Sequence, residues 1–218
     1  MEGEIDHRST RRDYRHGQLH RKDLDPDPWL QMARWLQDAK NAGNFDPTAM
    51  ALATSNASGH PSVRYVLLKH FDGQGICWYT DSRSRKGQDL SVNPHAAAAF
   101  YWPENDRQLR LEGTVELLPE TDAESYFQQR PQGSRLAAAA SVQSREIPDR
   151  KSLEERVTGL AKKYSGRSIP KDPAWRGYRL LPERFEFWQG RPDRLHDRFL
   201  YQKASDDGTS WSIHRLMP

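Results

Sequence analysis

Ser62-Val63-Arg64-Tyr65-Val66-Leu67-Leu68-Lys69 is the stretch on which the fold turns. It is an apolar, β-branched and aromatic run, bounded by Asn56-Ala57-Ser58-Gly59 on one side and Asp72-Gly73-Gln74-Gly75 on the other. Loops of that composition close hairpins. Similar runs flank it at Thr48–Thr54 and Gly75–Thr80, then recur at Ala96–Trp102 and Gln108–Leu118, with a short helix predicted between Ser84 and Asn93. Consecutive strands at this spacing predict an antiparallel barrel or sandwich, not a βαβ fold.

Upstream, Asp27-Pro28 opens a predicted helix with a cap and a first-turn proline, an apolar stripe of Trp29, Met32, Ala33 and Leu36, and an end near Gly43. Residues 1–24 are dense in charge and read as a flexible arm, leaving 25–218 as one domain. Downstream, Thr121-Asp122-Ala123-Glu124 matches a capping box for a helix reaching Arg130, and Leu153, Val157, Leu160 and Tyr164 mark another helix. Strands return at Trp175–Leu181, Arg184–Trp188, Arg198–Gln202 and Trp211–Leu216, the last two joined by the turn signal Ser205-Asp206-Asp207-Gly208.

Composition narrows the possible functions. The 33 Lys+Arg against 30 Asp+Glu leave a net charge of only +3, without the concentrated basic stripe of a nucleic-acid binder. A hydrophobic fraction of 35% suits a chain that completes its core by pairing with a second copy. The single cysteine, Cys77, excludes an internal disulfide and reads as a buried strand residue. The acidic start is no signal peptide and no run is long enough to span a membrane, so a cytoplasmic setting is the expectation. Nucleotide-binding glycine motifs, H-E-x-x-H and G-x-S-x-G are all missing from the sequence, so no metal is expected.

What remains is a set of cations on strands and loop edges. Residues two apart on a strand share a face, so Arg194, His196 and Arg198 project together if that segment is extended. Two guanidinium groups and an imidazole suit a planar anion; the alternative pairs Arg194 and Arg198 with Asp193 and Asp197 on a solvated edge. Arg64 and Lys69 have opposite parity and should serve opposite faces, or two neighbouring sites, if the strand stays regular. Ser82-Arg83-Ser84-Arg85-Lys86-Gly87 joins hydroxyls and cations to a helix start, which is phosphate-binding chemistry, although surface loops often read this way. Tyr126 and Arg130 share a helical face with Ser134 just beyond, either a second phosphate site or a solvated arginine. Gln143-Ser144 adds polar groups that carry no meaning alone.

Taken in order from Arg11 to Pro218, these segments resemble the pyridoxamine 5′-phosphate oxidase family. The resemblance rests on Arg64-x-Val66-Leu67-Leu68-Lys69, Tyr79-Thr80 with Ser84-Arg85-Lys86, Arg107-Gln108-Leu109-Arg110-Leu111-Glu112-Gly113, and Glu186-Phe187-Trp188-Gln189-Gly190 followed by Arg194-Leu195-His196-Asp197-Arg198-Phe199-Leu200-Tyr201. It implies a mainly β, split-barrel homodimer with flanking helices that binds FMN in clefts between subunits. Arg64, Tyr65, Val66, Leu67, Leu68, Lys69, Tyr79, Thr80, Arg85, Lys86, Gln108, Gln143, Ser144, Trp188 and Arg198 would hold the flavin.

The same resemblance gives Lys69, Tyr126, Arg130 and Ser134 the substrate phosphate, and Arg194 and His196 the pyridine ring, with Arg11 and Tyr14 closing over it as part of a lid. The implied reaction oxidises pyridoxamine or pyridoxine 5′-phosphate to pyridoxal 5′-phosphate, a hydride passing to flavin N5 and then electrons to O2, giving H2O2. Another small substrate on the same flavin scaffold, or a non-catalytic flavin or pyridoxal-phosphate binder, are the rival readings. Two positions depart from the family pattern: Leu136-Ala137-Ala138-Ala139-Ala140 after Ser134, where a glycine and a bulky aromatic are usual, and Arg176, where a glycine is usual.

Overall fold

A computed structural model of the chain describes residues 7–10, 13–15, 17–204 and 210–218. In chain order its elements are α1 (Pro28–Asn41), β1 (Ala49–Ser55), β2 (Pro61–Leu67), β3 (His70–Phe71), β4 (Ile76–Asp81), α2 (Arg85–Val92), β5 (His95–Trp102), β6 (Arg107–Leu117), α3 (Glu120–Gln129), α4 (Gln132–Ala140), α5 (Arg150–Lys163), β7 (Trp175–Gln189), β8 (Asp197–Lys203) and β9 (Trp211–Leu216). The strand order is β2-β1-β5-β6-β7-β4-β3, with β8 beside β7 and β9 beside β8. The registers are antiparallel, with Leu52 opposite Arg64 on β1/β2 and Tyr79 opposite Gly177 on β4/β7. The fold is therefore mainly β with flanking helices, as the strand spacing predicts.

The described chain packs as two compact units, where the sequence suggests a single domain. The first comprises the N-terminal residues to Pro47, Phe100–Arg110 and Phe185–Pro218; the second comprises Thr48–Ala99 and Leu111–Arg184. The division falls inside β5, β6 and β7, which run through both units.

In the first unit, α1 starts where Asp27 accepts a hydrogen bond from the Trp29 amide at 2.8 Å, a cap worth about 1 kcal/mol. Its buried stripe is Trp29, Met32, Trp35 and Ala39; Ala33 is exposed, because the core-facing set advances by three and four from Trp29. Trp29 meets Phe185 and Trp35 meets Phe187 edge-to-face at 4.9 Å, anchoring the helix to β7. Residues 17–24, assigned by composition to a flexible arm, are anchored instead. Leu19 and Leu24 are buried, and the Leu19 amide donates to Asp197 at 3.1 Å.

In the second unit, Met50 and Leu52 of β1, Ala98 of β5 and Ile76, Cys77 and Trp78 of β4 are buried. α3 begins at Glu120 behind Pro119, without the predicted capping box; Thr121 Oγ1 contacts Asp122 instead. The 137–140 alanine run belongs to α4, a helix that Pro131 and Gly133 disguise as loop. Leu136, Ala138 and Ala139 pack on Phe127, Ile169 and Trp175. β7 continues unbroken through Pro182, where two strands were predicted. The turn signal Ser205–Gly208 lies outside the described residues, but β8 and β9 pair antiparallel from Arg198↔Leu216 to Lys203↔Trp211.

Candidate functional site

The second unit holds a cavity of about 840 Å³ that, among the described residues, is lined by five cations and no carboxylate. Arg64 and Lys69 come from β2 and the turn after it, Arg85 and Lys86 from the first turn of α2, and Arg130 from the end of α3. Residues of both parities of β2, the end strand of the sheet order, line this cavity, and Lys69 beyond the strand lines it too. Tyr65, Val66, Leu67, Tyr79, Thr80, Gln143 and Ser144 also line it, as do Tyr126 and Ser134. Leu68, the remaining member of that expected run, is buried away from the cavity.

The cations of the cavity differ in their partners. Arg64 donates to the Leu52 carbonyl, Thr54 and Ser62, and Asp89 sits 3.9 Å from Arg64 and 3.6 Å from Arg85. Lys86 is only 6% exposed and donates to three neutral acceptors, Thr80 Oγ1 at 3.0 Å, Ser84 Oγ at 3.2 Å and Gln143 Oε1 at 2.9 Å. Burial, then repulsion from Arg64, outweigh the attraction of Asp81 and bring its pKa down to about 8. An incoming phosphate dianion would hold the proton on. Its affinity should therefore be flat from pH 7 to 8 and then weaken, approaching tenfold per pH unit, as the free protein releases that proton. Titrating FMN fluorescence quenching across pH 7–9.5 tests this; an affinity independent of pH would remove Lys86 from the phosphate contact.

Ser84 caps α2, accepting from the Gly87 amide, so the first-turn amides of an eight-residue helix sit beside Arg85 and Lys86. The Arg85 amide approaches Ser144 Oγ at 3.3 Å. Ser144 itself has φ +70°, a left-handed conformation that costs a side-chain-bearing residue about 1 kcal/mol. Ser144→Gly should raise the unfolding free energy by about 0.5–1 kcal/mol in denaturant melts. An unchanged or lower midpoint would mean that no strain is held there.

Gln108, Trp188, Arg194, His196, Arg198 and Tyr14 belong to the first unit. Tyr14 meets Trp188 at 5.5 Å and His196 at 5.1 Å, both edge-on, and Trp188 lies 4.6 Å from His196. Gly190 permits this, since a Cβ there would stand 2.5 Å from the Tyr14 ring. Tyr14 is thus already docked, while Arg11 lies outside the described residues. The Arg191 amide donates to His196 Nδ1 at 3.1 Å, which places the proton of the neutral ring on Nε2. Burial, then the charges of Arg194 and Arg198, lower the His196 pKa and favour that neutral ring.

Arg194, His196 and Arg198 do not share a strand face. β8 starts only at Asp197, and Asp193 and Arg194 form a tight turn with φ +54° and +60°. Arg198 donates to Glu186 at 2.8 Å and to the Met217 carbonyl at 2.9 Å, not to Asp197. Asp197 is taken by Arg215 at 2.9 Å. Glu186 also pairs with Arg110 at 2.8 Å, and Gln108 is half-buried on β6.

The unusual Arg176 has its Nε 3.2 Å from Glu120, a carboxylate that Lys171 also engages, so it fastens β7 to the start of α3. Two groups went unread in the sequence. Trp175 lines the cavity among Tyr79 and Tyr126, and Asp81 accepts from Arg83 at 2.8 Å and from the Gln143 amide at 3.3 Å. Trp175 looked like an ordinary strand aromatic, and its role depends on elements far apart in sequence.

Comparison with known proteins gives a consistent set. Residues 36–164 match the family described as pyridoxamine 5′-phosphate oxidase, and residues 175–218 match a pyridoxine 5′-phosphate oxidase C-terminal dimerisation region. A pyridoxine/pyridoxamine 5′-phosphate oxidase of Rubrobacter xylanophilus is 46% identical over 95% of this chain and 94% of its own. One from Cupriavidus taiwanensis is 48% identical, over 95% and 97%. Among solved structures, PhzG from Burkholderia lata in complex with tetrahydrophenazine-1-carboxylic acid matches with TM-score 0.86 and 31% identity, over 93% of this chain and 99% of that one.

Proposed function

The chain belongs to the pyridoxamine 5′-phosphate oxidase family, and from that membership we propose that it is an FMN-dependent oxidase converting pyridoxamine or pyridoxine 5′-phosphate to pyridoxal 5′-phosphate. One observation carries the reading. Five cations line a single cavity without a carboxylate among them, and Lys86 and Arg130 are held there with no acid in direct contact. Groups of that kind fit anions: Arg64, Arg85 and Lys86 would serve a phosphorylated cofactor, and a second set, Lys69 and Arg130, a phosphorylated substrate.

Lys86, Arg64, Arg85 and the first-turn amides of α2 would hold the FMN phosphate, with Thr80, Gln143 and Ser144 as polar contacts. Lys69, Tyr126, Arg130 and Ser134 would take the substrate phosphate. Arg194 and His196, with Tyr14, would orient the pyridine ring, the His196 Nε2–H being the available donor. When bound, FMN would supply the two-electron redox chemistry of the oxidation, with O2 as the final acceptor and H2O2 as its product. The protein's part is to bind, orient and exclude water, which requires no nucleophile or metal. With the amine substrate, hydrolysis of the imine then yields aldehyde and ammonia.

Homodimerisation is part of the proposal. β2 ends the strand order and exposes an apolar row, Val63 at 69%, Tyr65 at 77% and Leu67 at 40%. The match to a dimerisation region at 175–218 supports pairing too. No helix among the described residues is long and apolar enough to cross a membrane, and we place the enzyme in the cytoplasm.

The competing reading is a flavin enzyme acting on a different substrate, since PhzG is captured with a phenazine carboxylic acid. The second set, with Arg130 joined by Lys69, Tyr126 and Ser134, favours a phosphorylated substrate. Aerobic turnover of the FMN-loaded protein decides between them: pyridoxal 5′-phosphate and H2O2 should appear in equal amounts with either phosphorylated substrate. A flavin-loaded protein inert toward both would overturn the proposal.

A further inference from the structure

We infer that Trp175 is a positioning residue: its π face holds the Arg130 guanidinium and the Tyr126 ring where they meet the substrate phosphate, and so sets the preference for phosphorylated over unphosphorylated substrate. The inference rests on the reading of that end of the cavity given above and adds a residue to it.

Arg130 is a half-buried cation with no acid beside it. Its Nη1 is buried without a hydrogen-bond partner, and no carboxylate among the described residues lines the cavity. What it has is aromatic surface: its Cζ lies 5.0 Å from the centre of the Trp175 ring and 5.9 Å from that of Phe127. A guanidinium over an indole face is held by the ring quadrupole, and tryptophan is the strongest aromatic partner for it. Burial lowers the Arg130 pKa, as it must for a charge that the chain itself leaves uncompensated.

Trp175 also sets Tyr126. The rings of Tyr79, Tyr126 and Trp175 are near-parallel, Tyr79 lying 4.3 Å from Tyr126 and 5.4 Å from Trp175, with 6.0 Å between Tyr126 and Trp175. Gly177 leaves room for this group, because a Cβ there would stand 2.8 Å from the Tyr79 ring. The indole cannot easily drift. It is 8% exposed, Phe127 meets it edge-on at 5.2 Å, and its backbone donates to Asp172 and accepts from Lys171. A donor fixed before binding loses less freedom on binding, so an anion gains affinity from the indole without touching it.

The test compares pyridoxine 5′-phosphate with pyridoxine in the FMN-loaded enzyme, and measures pyridoxal 5′-phosphate binding by equilibrium titration. Trp175→Leu should raise KM for the phosphorylated substrate, and Kd for pyridoxal 5′-phosphate, about tenfold. kcat should stay within about twofold, and KM for pyridoxine should not move. Trp175→Phe, which keeps a π face, should recover most of the loss. In an Arg130→Ala background, Trp175→Leu should cost clearly less than in the parent, since only its support of Tyr126 remains to be lost. Equal losses for both substrates, or a loss that adds fully to that of Arg130→Ala, would make Trp175 a packing residue only. Should Trp175→Leu fail to fold, Trp175→Phe with and without Arg130→Ala carries the same comparison. A parent enzyme that turns over neither substrate would fail the functional reading instead.

Discussion

Lys86→Met is expected to weaken FMN binding about 100-fold while leaving the apoprotein as stable as the parent or more so. The two effects have opposite signs for one reason. In the absence of an anion Lys86 is a buried cation beside Arg64, held only by neutral acceptors, and its pKa falls to about 8 against 10.5 in the unfolded chain. Between those values the unfolded chain binds a proton that the folded one has released. Stability from this group is thus full above about 10.5 and is lost as pH falls through 8, below which the buried charge is a constant cost. Methionine removes that cost and strands no partner: Thr80 Oγ1 still donates to Gln143 Oε1, and Ser84 Oγ still donates to the Asp81 carbonyl. The gain should be about 1–3 kcal/mol at pH 7 and should shrink toward pH 10. Denaturant melts of the apoprotein and an FMN titration check both halves. A variant that keeps its FMN affinity would show that the cation does not serve the phosphate.

Arg194→Ala and His196→Ala should each lower kcat by about 100-fold, with FMN affinity within twofold of the parent. Neither residue is among those lining the cavity that gathers Arg64, Arg85 and Lys86, so on the proposed assignment loss of turnover and loss of cofactor should be separable. Arg194 occupies a left-handed turn, so Arg194→Gly is a useful companion. It relieves the backbone and should raise stability while losing the same turnover, which assigns the loss to the guanidinium and not to the turn. On the proposed assignment the neutral ring of His196 would be the working form, because Nδ1 already accepts from the Arg191 amide. Its lowered pKa puts the acid limb of the rate profile below the usual histidine value of about 6.5, and that limb should vanish in His196→Ala. Steady-state rates from pH 5 to 8 decide this; full turnover in either alanine variant would remove that residue from the reaction.

Residue pattern carried the local parts of this account and failed where partners are distant. The β1 and β2 hairpin was legible because Asn56–Gly59 interrupts two apolar runs, and the start of α2 because Ser84 precedes it as a cap. Strand parity failed at Arg194, His196 and Arg198 because it assumes an extended chain, whereas the backbone turns at Asp193-Arg194 before β8 begins. Pro182 suggested a strand break, yet β7 passes through it where β6 presents Gly113, whose missing side chain lets the two backbones approach. No spacing rule pairs Arg198 with Glu186, or Arg130 with Trp175, because those partners are chosen by packing. The family resemblance named the residues around the cavity, but not the aromatic group that braces them.

The most direct measurement is the visible spectrum of the FMN-reconstituted protein, recorded without oxygen before and after one equivalent of pyridoxamine 5′-phosphate. The flavin band should bleach, and air should restore it with one equivalent of pyridoxal 5′-phosphate formed. A bound flavin that stays oxidised would contradict the proposed reaction, and a protein that binds no flavin would contradict the reading of its cavity.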